Sequence, residues 1–233
     1  MQSATLRAQL SSALGGRVAT PFTDLDRRVS ESVSSGIPAL DTLTGGLPRG
    51  AISEIHGRAS SGKTSLLLSI LAAATTREET CALVDGSDTF APASGIDTGI
   101  ELTRLLWVRC HNLDHSLKSV DLLLQSGGFG IVAMDLSDIP VASVQAVPLA
   151  TWFRFQRSIE KTPTILALVS EAGVAKTCAS LAIETTGSSF RFRVSEFGFE
   201  MDAAVNRSRR QMPRFPHVRI DLHSPFSSPG TRP

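Results

Sequence analysis

The chain has 233 residues, 42% of them apolar, and 23 basic side chains against 22 acidic ones for a net charge of +1. That is enough for one α/β domain with a proper core and short extensions. The even charge argues neither for nor against a nucleic-acid partner, so any basic surface has to be local. The cysteines Cys81, Cys110 and Cys178 are scattered, lack metal-ligand spacing, and read as small buried hydrophobes of a reducing compartment. The N-terminus has no continuous apolar run of the secretory kind. The most apolar stretch, residues 66–74, is too short to cross a bilayer, so a cytoplasmic protein is expected.

In chain order, Leu6, Ala8, Leu10 and Leu14 recur at roughly helical spacing and predict a short amphipathic helix ended by Gly15-Gly16. Such a helix is marginal alone in water, so it docks either on its own domain or on another protein. Residues 17–35 carry charges, serines and one proline without periodicity and read as a linker. The segment GIPALDTLTGGLPRG follows, in which Ile37, Leu40 and Leu43 form one face of a short helix closed by Gly45-Gly46.

Residues 51–74, AISEIHGRASSGKTSLLLSILAAA, read as a short apolar strand, a glycine-bounded loop and an apolar helix. The loop GRASSGKT fits G-x-x-x-x-G-K-[ST] at every fixed position. A glycine turn before an ordinary helix would share some of these letters, but the strand before and the helix after are the context a phosphate loop requires. Gly57 and Gly62 are expected to take positive φ angles, and the peptide N–H groups of Arg58, Ala59, Ser60, Ser61 and Ser65 to face phosphate oxygens. Lys63 would reach the β- and γ-phosphates, and the Thr64 hydroxyl would hold Mg²⁺.

Downstream, CALVDGSD predicts a strand with Asp85 at its end, LLWVR a third strand, and LKSVDLLL a helix ended by Gly127-Gly128. GIVAMDLSD is apolar from Ile131 to Met134 and then delivers Asp135, an arrangement that suits a Mg²⁺-holding carboxylate one βα unit after the phosphate loop. Residues 149–161 predict a helix in which Trp152, Phe153, Phe155 and Ile159 are read as core rather than as a base-stacking platform. The strand TILALVS follows, then the loop EAGVAKTCAS, and then LAIETTGSSFRFRVSEF, a β-hairpin by its alternation. A local basic run, Arg207, Arg209, Arg210, Arg214 and Arg219, reads equally as a contact for nucleic-acid phosphates or an acidic partner and as a solvated sheet edge. The Pro/Ser/Gly-rich tail reads as disordered.

The order G-x-x-x-L-D-x-x-x-x-G-G-L-P-x-G, strand, phosphate loop resembles the start of a RecA-like ATPase core, and the likeness continues in step through two further strands. It implies an α/β fold with a mostly parallel central sheet flanked by helices and a C-terminal β-hairpin extension. The expected division is a helix and linker over 1–35, the nucleotide-binding core over 36–200, and a basic, partly disordered extension over 201–233. ATP and Mg²⁺ are the implied ligands. Two departures stand out. In the RecA family the strand matching CALVDGSD presents a glutamate that polarises the attacking water; here that position is Ser87, with Asp88 one residue late. The family's γ-phosphate-sensing glutamine would fall near Ser170 or Glu171, and the DNA-holding loops are short.

Within the family the chain is most similar to the ImuA group of short, degenerate RecA relatives. That resemblance implies an accessory role in damage-induced translesion mutagenesis. Contacts with a RecA-type recombinase and an error-prone polymerase complex would carry it, with weak or absent ATP hydrolysis; a weak DNA contact and self-association are left open by the sequence. The alternative is an active DNA-dependent ATPase of the RecA class, in which Asp88 or Glu171 supplies the missing carboxylate. A small-molecule kinase is disfavoured because no acceptor site or arginine lid is visible.

Overall fold

The apolar stretches read from the sequence become strands of one sheet in a computed structural model that describes residues 31–193, 196–208 and 217–223. A two-stranded antiparallel ribbon of β1 (Ser32–Val33) and β2 (Leu47–Pro48) precedes it. The main sheet holds β3 (Ile52–Gly57), β4 (Cys81–Asp85), β5 (Leu105–Arg109), β6 (Ile131–Asp135), β7 (Ile165–Ser170), β8 (Ala179–Arg193), β9 (Glu196–Ser208) and β10 (His217–His223). Their order is β10-β9-β8-β3-β7-β6-β4-β5. Pairing is parallel from β8 across to β5 and antiparallel at β8–β9 and β9–β10. This is the expected α/β architecture with its C-terminal strand pair. The boundary expected after residue 200 falls inside β9, which runs on through Ser208.

Helices cover both faces: α1 (Pro38–Thr44), α2 (Lys63–Thr76), α3 (Pro92–Thr98), α4 (Leu113–Ser126), α5 (Val141–Gln145) and α6 (Leu149–Ile159). Alternate residues of the central strands feed two apolar clusters. One gathers Leu40, Leu66, Leu67, Ile70 and Leu71 of α1 and α2 against Ile55, Leu83, Ile131 and Val169. The other sets Val120 and Leu124 of α4 and Trp152, Phe155 and Ile159 of α6 against Ile52, Val84, Met134 and Leu168. Strands buried on both faces explain why β4, β6 and β7 read as nearly unbroken apolar runs. The core reading of Trp152 and Phe155 holds, for both are buried, whereas Phe153 is exposed. Helix α4 starts earlier than its apolar run because the Asn112 side chain caps it, accepting the His115 N–H at 2.8 Å.

The G-G-L-P-R-G element earns its letters through packing. Gly46 lies at φ +89°, and a Cβ there would sit 2.6 Å from the Val33 carbonyl oxygen. Arg49 reaches across to clasp both oxygens of Glu79, at 2.8 and 2.7 Å. Asp41 of α1 accepts from the Ser35 N–H and from the hydroxyls of Ser34 and Ser35. Among the described residues no helix is long and apolar enough to cross a membrane. The helix expected near the N-terminus lies outside the described residues, as do Arg209, Arg210, Arg214 and the tail.

Candidate functional site

The phosphate-loop sequence lies where β3 passes into α2, at the carboxyl edge of the parallel strands. Lys63 is the first residue of α2, and Gly62 before it is left-handed at φ 91°, so the chain turns into the helix with no side-chain cap on its first N–H groups. The buried Lys63 donates from Nζ to the Arg58 carbonyl at 3.2 Å, which the Ser61 N–H also approaches at 3.2 Å. Gly57 corrects the sequence reading: its φ is not in the left-handed region. It must be glycine because a Cβ would meet the Thr185 hydroxyl at 2.1 Å and the Thr185 carbonyl at 2.4 Å. β8 is pressed against the loop at that point, and the Ser61 and Thr185 hydroxyls hydrogen-bond at 2.6 Å.

Lys63 and Thr64 open onto a cleft of about 480 Å³ that Thr89, Asp135, Ser137, Asp138 and Glu171 also line. Parallel pairing in register, with Asp85 beside Asp135 and Asp135 beside Val169, brings the loops after β4, β6 and β7 to one edge. Asp135 is partly buried and receives the Ser137 N–H at 2.9 Å. Burial, with help from the carboxylates of Asp85 and Asp138, pushes its carboxyl above the ordinary range in spite of the Ser137 hydrogen bonds. Thr64 and Asp135 present oxygen atoms of the kind a hard divalent cation takes.

The sequence matches the RecA N-terminal domain over residues 8–146, more than half of its length. The chain belongs to the RecA family. It is 38% identical over 105 residues to the protein RecA of Ectopseudomonas oleovorans, covering 44% of this chain and 30% of that protein. To the protein RecA of Haemophilus ducreyi it is 37% identical over 107 residues, covering 45% and 29%. The chain thus matches under a third of the length of these curated relatives. Its fold is similar to the crystal structure of the RadB recombinase, with a TM-score of 0.61, 15% identity, and coverage of 80% of this chain and 94% of that one.

In this RecA-family chain the residues singled out from sequence do not all share one place. Lys63, Thr64, Asp135 and Glu171 share the cleft; Asp88 does not line it. Both Asp88 oxygens are taken by Arg109, from Nε and Nη2 at 2.6 Å each, and this ion pair holds its carboxyl below the usual range. Asp88 sits at φ 57°. Ser170 turns its hydroxyl back to the Ala172 carbonyl at 2.8 Å. Arg207 lies on β9 opposite Ala182, and Arg219 on β10 pairs with Asp202 at 3.1 Å.

Three residues carry roles that the sequence did not assign. Asp85, buried at the end of β4, accepts from the backbone N–H groups of Ser87, Thr89 and Phe90 and from Trp107 Nε1, which fixes the loop where Ser87 stands. Asp138 lines the cleft and accepts from the Thr89 hydroxyl at 3.2 Å. Glu54, buried in β3, accepts the Val174 and Ala175 N–H groups at 2.5 and 3.0 Å and anchors the loop after β7. The one available signal was a charged residue inside an apolar strand, which needs a buried partner.

Proposed function

We propose that the chain binds a Mg-nucleoside triphosphate, ATP by family resemblance, in the cleft beyond β4, β6 and β7. The observation that carries this reading is that Lys63 and Thr64 of α2 and Asp135 of β6 line one cleft. The phosphates would meet the loop N–H groups and the positive end of the α2 dipole. Lys63 would exchange the Arg58 carbonyl for phosphate oxygens. Asp135 fits a divalent cation because its negative charge is already penalised by burial and neighbouring carboxylates. Among the described residues no group of three or more His, Cys, Asp or Glu side chains can hold a metal alone. A cation here would therefore complete its shell with phosphate and water, the habit of Mg²⁺.

The nucleotide serves DNA repair in this proposal, and the relatives favour the ATPase form of it: a DNA-dependent ATPase of the RecA class. Two relatives are named protein RecA and a third is the RadB recombinase. A second reading, the ImuA-like accessory role through partner contacts, is favoured by Ser87 standing where the family carries a glutamate.

Two measurements on the intact protein test these readings. A fluorescent ATP analogue with Mg²⁺ is expected to bind, with affinity reduced at least about tenfold in Lys63→Ala. Equal binding by the variant would remove the nucleotide reading. Hydrolysis stimulated by single-stranded DNA and abolished in Lys63→Ala supports the ATPase. Binding without turnover leaves the accessory role.

A further inference from the structure

A cleft built to hold a triphosphate still needs a group that polarises water, and a serine hydroxyl at position 87 is no base for it. Three carboxylates stand near enough to be weighed. Asp88 is committed to Arg109 and is not among the residues that line the cleft. Glu171 lines the cleft from the first residue after β7, at the end of a long side chain, and like Asp138 it is exposed. Asp138 lines the same cleft on a shorter side chain, and the Thr89 hydroxyl holds its Oδ2 at 3.2 Å. Thr89 is itself fixed, because its N–H donates to the buried Asp85 at 3.1 Å. The loop that lacks the family's glutamate is thus tied directly to a carboxylate from the neighbouring strand's loop.

We propose that Asp138, oriented by Thr89, supplies the carboxylate that Ser87 lacks and polarises the water that attacks a nucleoside triphosphate in the cleft. The proposal rests on the nucleotide-binding reading above. In the step, the water oxygen forms a bond to the γ-phosphorus as the bond from that phosphorus to the bridging β–γ oxygen breaks. One water proton passes to Asp138 and then to solvent. The nucleoside diphosphate leaves with the electron pair of the broken bond, and inorganic phosphate follows. A base of this kind works only when held in place, and the Thr89–Asp138 contact provides that without drawing on the loop's own residue 87.

The test compares wild type, Asp138→Asn, Glu171→Gln and Lys63→Ala. Its readouts are Mg-ATP hydrolysis with single-stranded DNA and affinity for a fluorescent, non-hydrolysable ATP analogue. Asparagine keeps an oxygen for the Thr89 hydroxyl, so D138N removes the base while leaving the contact. The expected result is a loss of at least about 100-fold in turnover for D138N. Its nucleotide affinity should stay within about threefold of wild type, and E171Q should lose less turnover than D138N. Turnover in D138N within about threefold of wild type overturns the proposal. So does a larger loss in E171Q, or a wild type that binds nucleotide and hydrolyses it no faster than K63A. Failure of the wild type to bind the analogue is a different result: it removes the nucleotide reading, and the proposal with it.

Discussion

Asp135 ends β6 with its carboxylate in a setting that disfavours the charge it is proposed to use. Burial comes first among the causes, then the proximity of Asp85 and Asp138. A group whose ionised form costs free energy in the folded protein destabilises the fold at neutral pH and binds a cation more readily. Asp135→Asn should therefore stabilise the nucleotide-free protein, by about 1 kcal/mol for each pKa unit removed. The amide oxygen still accepts the Ser137 N–H, so the loop keeps its shape. If Mg-ATP binds as proposed, it should raise the melting temperature of the wild type, and the same variant should lose that rise. Thermal denaturation of both proteins, with and without Mg-ATP, checks the pair of effects. A variant that melts lower than wild type without ligand would mean that Asp135 holds the fold rather than a cation.

At the scale of elements, the clasp of Arg49 on Glu79 joins the turn before β3 to the end of α2's connection into β4. Arg77 adds a third contact at 3.0 Å, and Arg49 also donates to the Gly130 and Pro163 carbonyls at 3.3 Å each. Gly130 has to be glycine here, since a Cβ would lie 2.0 Å from Glu79 Oε2. Burial alone would raise the Glu79 carboxyl, but Arg49 and Arg77 outweigh it and bring it below the ordinary glutamate range. The sign follows: the stability it contributes is complete above the unfolded value, about 4.3, and is lost as pH falls through the lower folded value. Glu79→Gln should cost about 2 kcal/mol at pH 7, with the deficit closing in acid. Urea unfolding of both proteins across pH checks it, and a deficit independent of pH would assign the cost to packing instead. This clasp also marks the limit of sequence legibility. The strands β4, β6 and β7 could be read because each is a nearly continuous apolar run, and α2 because it follows the glycine loop. The reason for Arg49, Gly130 and Glu79 could not, because they lie far apart in the chain and meet only after the sheet forms.

Across the whole molecule, the parallel order β3-β7-β6-β4 places three strand ends and the start of α2 at one edge, and that convergence makes the site. Lys63, Thr64 and Asp135 were legible because the phosphate loop and a terminal strand carboxylate follow spacing rules. Asp138 and Thr89 were not: their proximity depends on β4 and β6 being neighbours, which spacing along the chain does not state. The same topology predicts how ligand binding spreads. Ser61 of the loop is hydrogen-bonded to Thr185 of β8, and Thr185 also donates to the His56 carbonyl at 3.3 Å, so a phosphate fixing the loop also fixes the first half of β8. Hydrogen exchange with and without Mg-ATP should therefore show added protection over residues 57–64, 87–90, 135–140 and 184–186. The amides of β3, β6 and β7, buried on both faces, should exchange slowest in either state, because only global unfolding releases them. Protection that rises in the loop and not at residues 184–186 would mean that the Ser61–Thr185 contact is passive. The β8–β9 hairpin would then be independent of the nucleotide, and any signal from the cleft to a partner would have to leave through the loops after β4 and β6.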